Sequence, residues 1–218
     1  KAEERMPFEL DARRLGSFQH AALEAFHMAL EDEGLRWHDL TPNQARELME
    51  QILSQTMKDF HEGLMEDKPV NRVTATALGQ ALETFIGVVI EWMSHYAFEP
   101  FGVEVAFGGK EPKIPAWEIE LPKQGKMVFN GIIDRVDLYE AEGHPSLAIV
   151  IDYKSGKKKP DERLSWNGVQ LQLPVYLNVL NHAGSNKALG GGPIQPVGAF
   201  FTTLRSRYEG KSSRTEAL

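Results

Sequence analysis

The chain has 218 residues with a net charge of −7, 42% hydrophobic and 25% charged residues, and no cysteine. This composition is ordinary for a globular protein, and the missing cysteines exclude disulfides and thiolate metal sites and fit a cytoplasmic protein. No apolar run is long enough to predict a membrane span, and the first residues lack the apolar stretch of a signal peptide.

The charge is divided unevenly between the two halves of the chain. Residues 1–100 carry 9 Lys/Arg against 18 Asp/Glu, and residues 101–218 carry 15 against 13. The overall negative charge argues against a free-standing protein that coats DNA. Any phosphate-binding surface is therefore expected in the second half. Because the chain lacks an initiator Met, we also expect it to be a fragment of a longer one.

The first two predicted elements are helices. Apolar side chains recur at helical spacing over about 15–33, and Gly34 is expected to end this helix. Thr41 and Pro42 combine an N-cap with a first-turn proline and predict a second helix that runs to about Gly63.

A third helix follows a predicted linker at 66–69. Asn71 is expected to cap it, and it is expected to end near 96–98, before Pro100. After Pro100 the pattern changes to short β-branched and alternating runs bounded by turn residues. These runs predict strands at 103–107, 117–121, 127–139, 146–153 and 197–204, with a helix over 168–180 and a loop at 190–193.

The order of these elements predicts the fold class. Helices come first, and then three strands, a fourth strand paired to the third as a hairpin, one helix and a last strand. The hairpin turn is expected at 143–145. A mixed central sheet flanked by helices, an α/β fold, is the natural way to bury the apolar faces of such elements.

Two carboxylates follow strongly apolar stretches of neighbouring strands. Asp134 follows Ile132 and Ile133, and Asp152 ends the apolar run at 149–151. Burial of an ionised carboxylate is costly unless it is paired or binds a metal ion. In a hairpin the two carboxylates converge, and a divalent cation such as Mg²⁺ or Mn²⁺ would relieve their repulsion.

Lys154 lies two residues after Asp152 and projects from the same face of the strand. There it would help to ionise a metal-bound water or stabilise charge on a phosphate. A simpler interpretation stays open, in which Asp152 and Lys154 form an ion pair at a strand end and Asp134 caps a turn. Asp137 is an odd number of residues from Asp134, so it faces the other way and is interpreted as structural.

Four motifs occur in a fixed order along the chain. They are GSFQHAAL at 16–23, GIIDRVD at 131–137, DYKSG at 152–156 and QLPVY at 172–176. Together they resemble the RecB-like branch of the PD-(D/E)XK nuclease superfamily, in particular the C-terminal nuclease domain of the AddB-type subunit of bacterial helicase–nucleases. The resemblance implies a restriction-endonuclease-like core at 99–218 and an N-terminal helical extension at 1–98, together one nuclease domain.

The same resemblance assigns roles to residues of the predicted centre. His20, on the helical extension, would bind the metal ion together with Asp134 and Asp152, and the backbone carbonyl of Tyr153 would complete the site. Lys154 would be the catalytic lysine. Asp134 and Asp152 would thereby also be catalytic.

Further positions receive weaker assignments. Gln172 and Tyr176, at i and i+4 on one helix face, would contact DNA or brace the site. Glu104, on the first strand, is a candidate accessory acid, as some related nucleases place another acid near the metal. Three lysines after the fourth predicted strand, Lys157, Lys158 and Lys159, are candidate phosphate guides with Arg163 nearby, although such a run is often only a solvated loop. A weaker basic group near the C-terminus comprises Arg205, Arg207, Lys211 and Arg214.

The resemblance implies a Mg²⁺- or Mn²⁺-dependent deoxyribonuclease, an exonuclease. It would be the nuclease module of a helicase–nuclease that processes double-strand DNA ends for recombination and repair in the bacterial cytoplasm. Its partners would be DNA and another subunit, with no membrane. Full-length relatives often hold an iron–sulfur cluster, which this cysteine-free chain cannot bind. The alternatives are a non-catalytic DNA-binding or scaffold domain with a nuclease fold and a stand-alone Cas4-like exonuclease.

Overall fold

A computed structural model describes residues 11–110, 112–123, 125–140, 142–156, 159–183 and 192–204. The helices of this part of the chain are α1 (Ala12–Glu33), α2 (Pro42–Asp59), α3 (Pro69–Met93), α4 (Glu162–Trp166) and α5 (Gln172–Ala183). The strands are β1 (Glu99–Phe107), β2 (Trp117–Leu121), β3 (Gly125–Phe129), β4 (Gly131–Tyr139), β5 (Ser146–Lys154) and β6 (Ile194–Thr203). A 3-10 turn at Trp37–Asp39 joins α1 to α2.

The first helix confirms its prediction at both ends. The Asp11 side chain accepts a hydrogen bond from the Arg14 N–H at 2.9 Å, which satisfies a donor of the first turn. At the other end Gly34 has a φ of 67°, and its N–H bonds the carbonyls of Leu30 and Glu31. A glycine adopts this left-handed conformation without steric cost, so it ends the helix cleanly.

The second helix begins as predicted and ends earlier. Thr41 and Gln44 form a capping box before and within the first turn, with Pro42 at the first helical position. The helix ends at Asp59 rather than at Gly63 because the next residues, 61–63, have positive φ angles and leave the helical conformation. The prediction of the C-terminal boundary was therefore wrong by one turn.

The third helix does not have the cap that the sequence predicts. It starts at Pro69, with Lys68 in the extended N-cap position. Asn71 lies inside the first turn, is 4% exposed, and donates through Nδ2 to the Leu64 carbonyl at 2.9 Å. Asn71 therefore fastens the preceding turn to the helix instead of capping it. The helix ends at Met93, before the predicted 96–98, which leaves room for β1 to begin at Glu99 and to include Pro100.

By length and composition alone α3 could also cross a membrane. This is weak evidence, since the core helix of a folded domain passes the same test. In the structure α3 packs against α2 and contributes Ala75, Leu82 and Ile86 to a hydrophobic core that α1 and α2 share. The absence of a membrane span stays a prediction from the sequence.

The central sheet has four strands in the order β1-β4-β5-β6. The pairs β1–β4 and β4–β5 are antiparallel, whereas β5–β6 is parallel, so the sheet is mixed. The predicted β4–β5 hairpin is confirmed. The parallel pair requires a crossover, which α4 and α5 supply. The predicted α/β fold class, with a mixed sheet flanked by helices as in restriction-endonuclease-like proteins, is confirmed.

Two predicted elements are each divided in the structure. The strand expected at 127–139 breaks at Asn130, and its first part, β3, pairs with β2 in a separate two-stranded sheet. The helix expected over 168–180 begins only at Gln172, because Gly168 has a φ of 73° and interrupts the helical backbone. β6 starts at Ile194, three residues before the predicted 197, and residues 190 and 191 of the predicted loop lie outside the described residues.

Two hydrophobic cores flank the central sheet. One is built by α1–α3 together with Val103, Tyr153 and Leu204. The other is built by α5 and sheet residues that include Ile133 and Val150. The sheet is therefore covered on both sides, which buries charged residues within β4 and β5.

Two of these buried charges form an ion pair on β4, beside the helical core. Arg135 and Asp137, on β4, share two hydrogen bonds of 2.6 and 2.7 Å and are 2% and 0% exposed. The guanidinium lies 4.5 Å from the Trp37 ring centroid, and the Tyr96 hydroxyl donates to Asp137 at 3.2 Å. Asp137 is therefore part of a buried ion pair, whereas the prediction that it faces away from Asp134 is not confirmed: Asp134 lies beside His20 of α1 and Asp137 beside Tyr96, both on the helical side.

We expect Asp137→Ala to lower the free energy of unfolding by about 3–5 kcal/mol, because it leaves the buried Arg135 charge unpaired. Tyr96→Phe is the matched control, since it removes one hydrogen bond to the same carboxylate and should cost about 1 kcal/mol. Urea denaturation followed by circular dichroism measures both. Equal losses in the two variants would contradict a dominant role for the ion pair.

Candidate metal centre

Asp134 lies in β4, the strand that is paired with β1 on one side and with β5 on the other. Its Oδ2 accepts a hydrogen bond of 2.6 Å from the Tyr153 N–H of β5. The β4–β5 ladder pairs Arg135 with Ile151, so Asp134 stands where the next pair would bring it opposite Asp152. The hairpin therefore brings the two carboxylates to neighbouring positions, as predicted from the sequence.

His20 reaches this point of the sheet from α1. Buried apolar side chains on either side of it, among them Phe18 and Leu23, hold α1 against the helical core. The Nδ1 atom of His20 lies 2.8 Å from Oε1 of Glu104, and its Nε2 atom lies 3.8 Å from Oδ2 of Asp134. One ligand atom from each of His20, Glu104 and Asp134 lies within 4.8 Å of the others.

Glu104 has the backbone conformation least expected of a strand residue. Its φ is 51°, in the left-handed region that costs a non-glycine residue about 1 kcal/mol or more. The preceding Val103 packs into the helical core and the following Val105 into the α5 core, so the usual alternation of a strand is broken at this residue. The β1–β4 ladder places Glu104 opposite Asp134, and its strained backbone accompanies a carboxylate aimed at the centre.

Asp152 and Lys154 project from the same side of β5, as predicted. Asp152 is completely buried, and its Oδ2 atom is in contact with the Lys154 ammonium. Asp152 is not among the three residues whose ligand atoms cluster, and Glu104 takes that place. The ion pair of the simpler interpretation is therefore present, beside a cluster that this interpretation does not require.

The electrostatics of the centre are unfavourable for its own carboxylates. Three acids, Glu104, Asp134 and Asp152, lie close together here, and of these only Asp152 is shown in contact with the Lys154 ammonium. Burial raises the pKa of Asp134 to about 6, and the charges of Asp152 and Glu104 add to this while His20 opposes it.

The pKa of His20 is also shifted. Burial lowers it, but the hydrogen bond to Glu104 and the nearby carboxylates outweigh burial and raise the pKa above its usual 6.5. A site that holds excess negative charge in this way favours a bound cation. Carboxylate oxygens with one imidazole form a donor set suited to a hard or borderline divalent ion.

Gln172 and Tyr176 meet each other at the start of β4. The Gln172 side-chain amide donates to the Tyr176 hydroxyl at 2.9 Å, and that hydroxyl donates to the Ile132 carbonyl at 2.7 Å. Burial raises the pKa of Tyr176 to about 12, so the hydroxyl keeps its proton. The two predicted roles are DNA contact and bracing of the site. These hydrogen bonds correspond to bracing, because they hold the backbone of β4 two residues before Asp134.

An acid that the sequence analysis does not single out lies one helical turn after His20. Glu24 lines an open cleft of about 400 Å³ together with Arg13, Ser17, His20 and Glu104. Burial and the charge of Glu104 raise the pKa of Glu24. The i, i+4 spacing from His20 is the signal that could have drawn attention to it.

Some predicted positions receive no structural account. Lys157 and Lys158 lie outside the described residues, as does the basic group Arg205, Arg207, Lys211 and Arg214. Lys159 is described and exposed. The role of the Tyr153 carbonyl stays a prediction.

The amino-acid sequence of the chain matches a family of known proteins. A family model described as the PD-(D/E)XK nuclease superfamily matches residues 1–217. A protein of Symbiobacterium thermophilum, named as a subunit of an ATP-dependent helicase/deoxyribonuclease, is 33% identical over 207 residues, which are 94% of this chain and 17% of that protein.

Other relatives carry the same name. One from Clostridium perfringens is 31% identical over 85% of this chain and 16% of its own length. One from Alkaliphilus metalliredigens is 30% identical over 92% of this chain and 17% of its own length. The chain therefore spans about one sixth of the length of these relatives. With the mixed sheet and the acidic strand pair already described, the match over nearly the whole chain shows that it belongs to the PD-(D/E)XK nuclease superfamily.

Proposed function

We propose that this chain is a DNA nuclease module that hydrolyses phosphodiester bonds with Mg²⁺ or Mn²⁺. The observation that carries the proposal is the convergence of His20, Glu104 and Asp134 beside the Asp152–Lys154 pair, in a nuclease fold. A merely structural ion pair would not require an imidazole and two further acids at the same point.

The donor set fits a divalent cation. His20 and Asp134 would bind the ion, with Asp152 and the Tyr153 carbonyl adjoining them on β5. A carboxylate at Glu104 would accept a hydrogen bond from Nδ1–H of His20, and in the neutral imidazole this leaves Nε2, on the Asp134 side, as the nitrogen that would bind a metal ion. When bound, the ion would polarise the phosphate and lower the pKa of a coordinated water.

The protein's own groups have separate tasks in this reaction. The Lys154 ammonium would stabilise the negative charge that develops on the phosphate oxygens in the transition state. The Tyr153 N–H fixes the orientation of the Asp134 carboxylate, and Gln172 and Tyr176 fix the strand before it. Glu104 fixes the imidazole, so it acts here as a positioning acid.

The wider role is inferred from the relatives' names. We propose that the module belongs to a helicase–nuclease of the bacterial cytoplasm that degrades DNA ends as an exonuclease, with a second subunit as its partner. The chain spans only about one sixth of those relatives, so substrate polarity and processivity would depend on parts of the complex outside it. The net charge of −7 favours a partner-assisted module over a stand-alone Cas4-like exonuclease.

A non-catalytic scaffold domain is the second candidate function. Such a domain would be expected to have lost an acid or the lysine of its former centre. Asp134, Asp152 and Lys154 are all present, and His20 and Glu104 converge on Asp134 beside them. This observation favours the enzyme.

Cleavage of labelled single- and double-stranded DNA tests the proposal directly. We expect cleavage only with Mg²⁺ or Mn²⁺, and a loss of at least about 100-fold in Lys154→Ala and Asp152→Ala, since each removes charge stabilisation at the phosphate or the metal. Lys58→Ala, which removes an exposed lysine from the end of α2, should keep wild-type activity.

If the wild-type chain does not cut DNA, calorimetric titration with Mn²⁺ decides between two cases. Binding that Asp152→Ala abolishes would indicate an intact centre that needs its partner subunit. A folded wild-type chain that binds no metal and cuts no DNA would overturn the nuclease proposal in favour of the scaffold.

The raised pKa of Asp134 predicts a stability cost of the centre. Its pKa is about 6 in the fold, above the usual 3.8, so the metal-free protein loses stability as the pH rises from about 4 to 6. At pH 7.5 in EDTA the free energy of unfolding of Asp134→Asn should therefore exceed that of the wild type by up to about 3 kcal/mol, seen as a higher urea midpoint. The difference should shrink towards pH 4.

Asp137→Asn is the matched control for this experiment. Asp137 is paired with Arg135, so its replacement should destabilise the protein under the same conditions. A metal-free Asp134→Asn variant that is less stable than the wild type at pH 7.5 would contradict the electrostatic account of the centre.

A further inference from the structure

Trp166 has the largest exposed fraction of the large hydrophobic side chains in the described residues. It is 91% exposed at the end of α4. Near it in the sequence, Leu164, Val169 and Leu171 are 43%, 71% and 43% exposed. An indole in this state presents its ring face to solvent at a hydrophobic cost, so it invites a functional explanation.

Trp166 lies in the segment from the last residue of β5 to the start of α5, residues 154–171, whose described part is held by hydrogen bonds within the segment. The Asp161 side chain caps α4 by accepting hydrogen bonds from the N–H groups of residues 163 and 164. Gln170 closes the segment: its Oε1 accepts from the Asp161 N–H at 2.7 Å, and its Nε2 donates to the Lys159 carbonyl at 3.1 Å. The Ser165 hydroxyl donates to the Gln170 carbonyl at 2.9 Å. Trp166 therefore lies in a segment that several hydrogen bonds hold in one conformation.

Both ends of this segment are anchored at the candidate metal centre. It leaves β5 directly after Lys154 and enters α5 at Gln172, which bonds to Tyr176. The bond between Gln170 and the Lys159 carbonyl draws the two arms of the segment together. The segment that contains Trp166 therefore begins and ends beside the candidate metal centre.

The charge of the segment is opposite to that of the whole chain. Residues 154–171 contain five Lys/Arg and two Asp/Glu, in a chain whose net charge is −7. Arg163 is exposed and precedes Trp166 by three residues, so both lie on one face of α4. The complement of such a surface is a polyanion, whereas the core of a protein–protein interface is depleted of charge.

We propose that Trp166 is a stacking platform for a base of single-stranded DNA, with Arg163 and Lys159 as contacts for its phosphates. Every base has a π-face that can stack on an indole, so the platform would hold a strand without reading its sequence. It would hold the strand that enters or leaves the cleavage site. The inference rests on the proposed nuclease function and deepens it by naming a substrate subsite.

Two probes separate stacking from charge. Binding of an oligothymidylate and of an abasic oligonucleotide of equal length is measured by fluorescence anisotropy, with Ca²⁺ in place of the catalytic metal. We expect Trp166→Ala to weaken oligothymidylate binding by about 5- to 150-fold, the value of one stacked base, and to leave binding of the abasic probe within about two-fold. Trp166→Phe should keep most of the affinity.

Two further variants complete the set. Arg163→Ala should weaken both probes and reduce the slope of log Kd against log salt by about 0.7, as one lost phosphate contact would. Trp92→Ala removes a 50% exposed indole from α3 and serves as the matched control with unchanged binding.

Each contrary result has a distinct meaning. Unchanged oligothymidylate binding in Trp166→Ala, in a chain that still cuts DNA, would overturn the platform and leave the nuclease proposal intact. Equal losses for both probes would overturn stacking. Unchanged DNA binding with weaker association of the partner subunit would assign the surface to a protein. A wild-type chain that neither binds nor cuts DNA would overturn both proposals.

Discussion

The buried ion pair between Arg135 and Asp137 is the interaction on which the candidate centre depends. Arg135 is adjacent to Asp134 on β4, and its guanidinium lies against Trp37, in the turn between the first two helices. The Trp37 indole N–H donates to Nδ1 of His27 at 3.1 Å. His27 is on α1, two turns after His20, and burial lowers its pKa, so it stays neutral and accepts this bond. The strand that holds Asp134 and the helix that holds His20 are thus joined by buried polar contacts.

The centre opposes the stability of the fold that carries it. A left-handed backbone at Glu104 and a raised pKa at Asp134 each cost free energy in the metal-free protein. The cores on either side of the sheet offset these costs. Strain and uncompensated charge that coincide at one point are typical of sites selected for chemistry rather than for folding.

The sequence was sufficient for the parts of this structure that depend on local pattern. The glycine stop after α1, the β4–β5 hairpin and the shared face of Asp152 and Lys154 follow from residue spacing. The break between β3 and β4 at Asn130 and the start of α5 at Gln172 rather than at Gly168 were not predicted. Residue propensity does not show where a continuous β pattern passes from one sheet to another, or where a helix begins after a turn. The contact of Glu104 with His20, 84 residues away, depends on a φ angle that no residue pattern indicates for a glutamate.

The same long separation has a consequence for the order of events during synthesis. The donors of the centre come from α1, β1 and β4, and contacts between such distant segments form late because loop closure must precede them. A nascent or partly folded chain, in which the helical layer has not docked on the sheet, cannot gather the ligands of one ion. Under the proposed function, DNA hydrolysis would then begin only in the completely folded domain, and an incomplete chain would leave the DNA of its own cell intact.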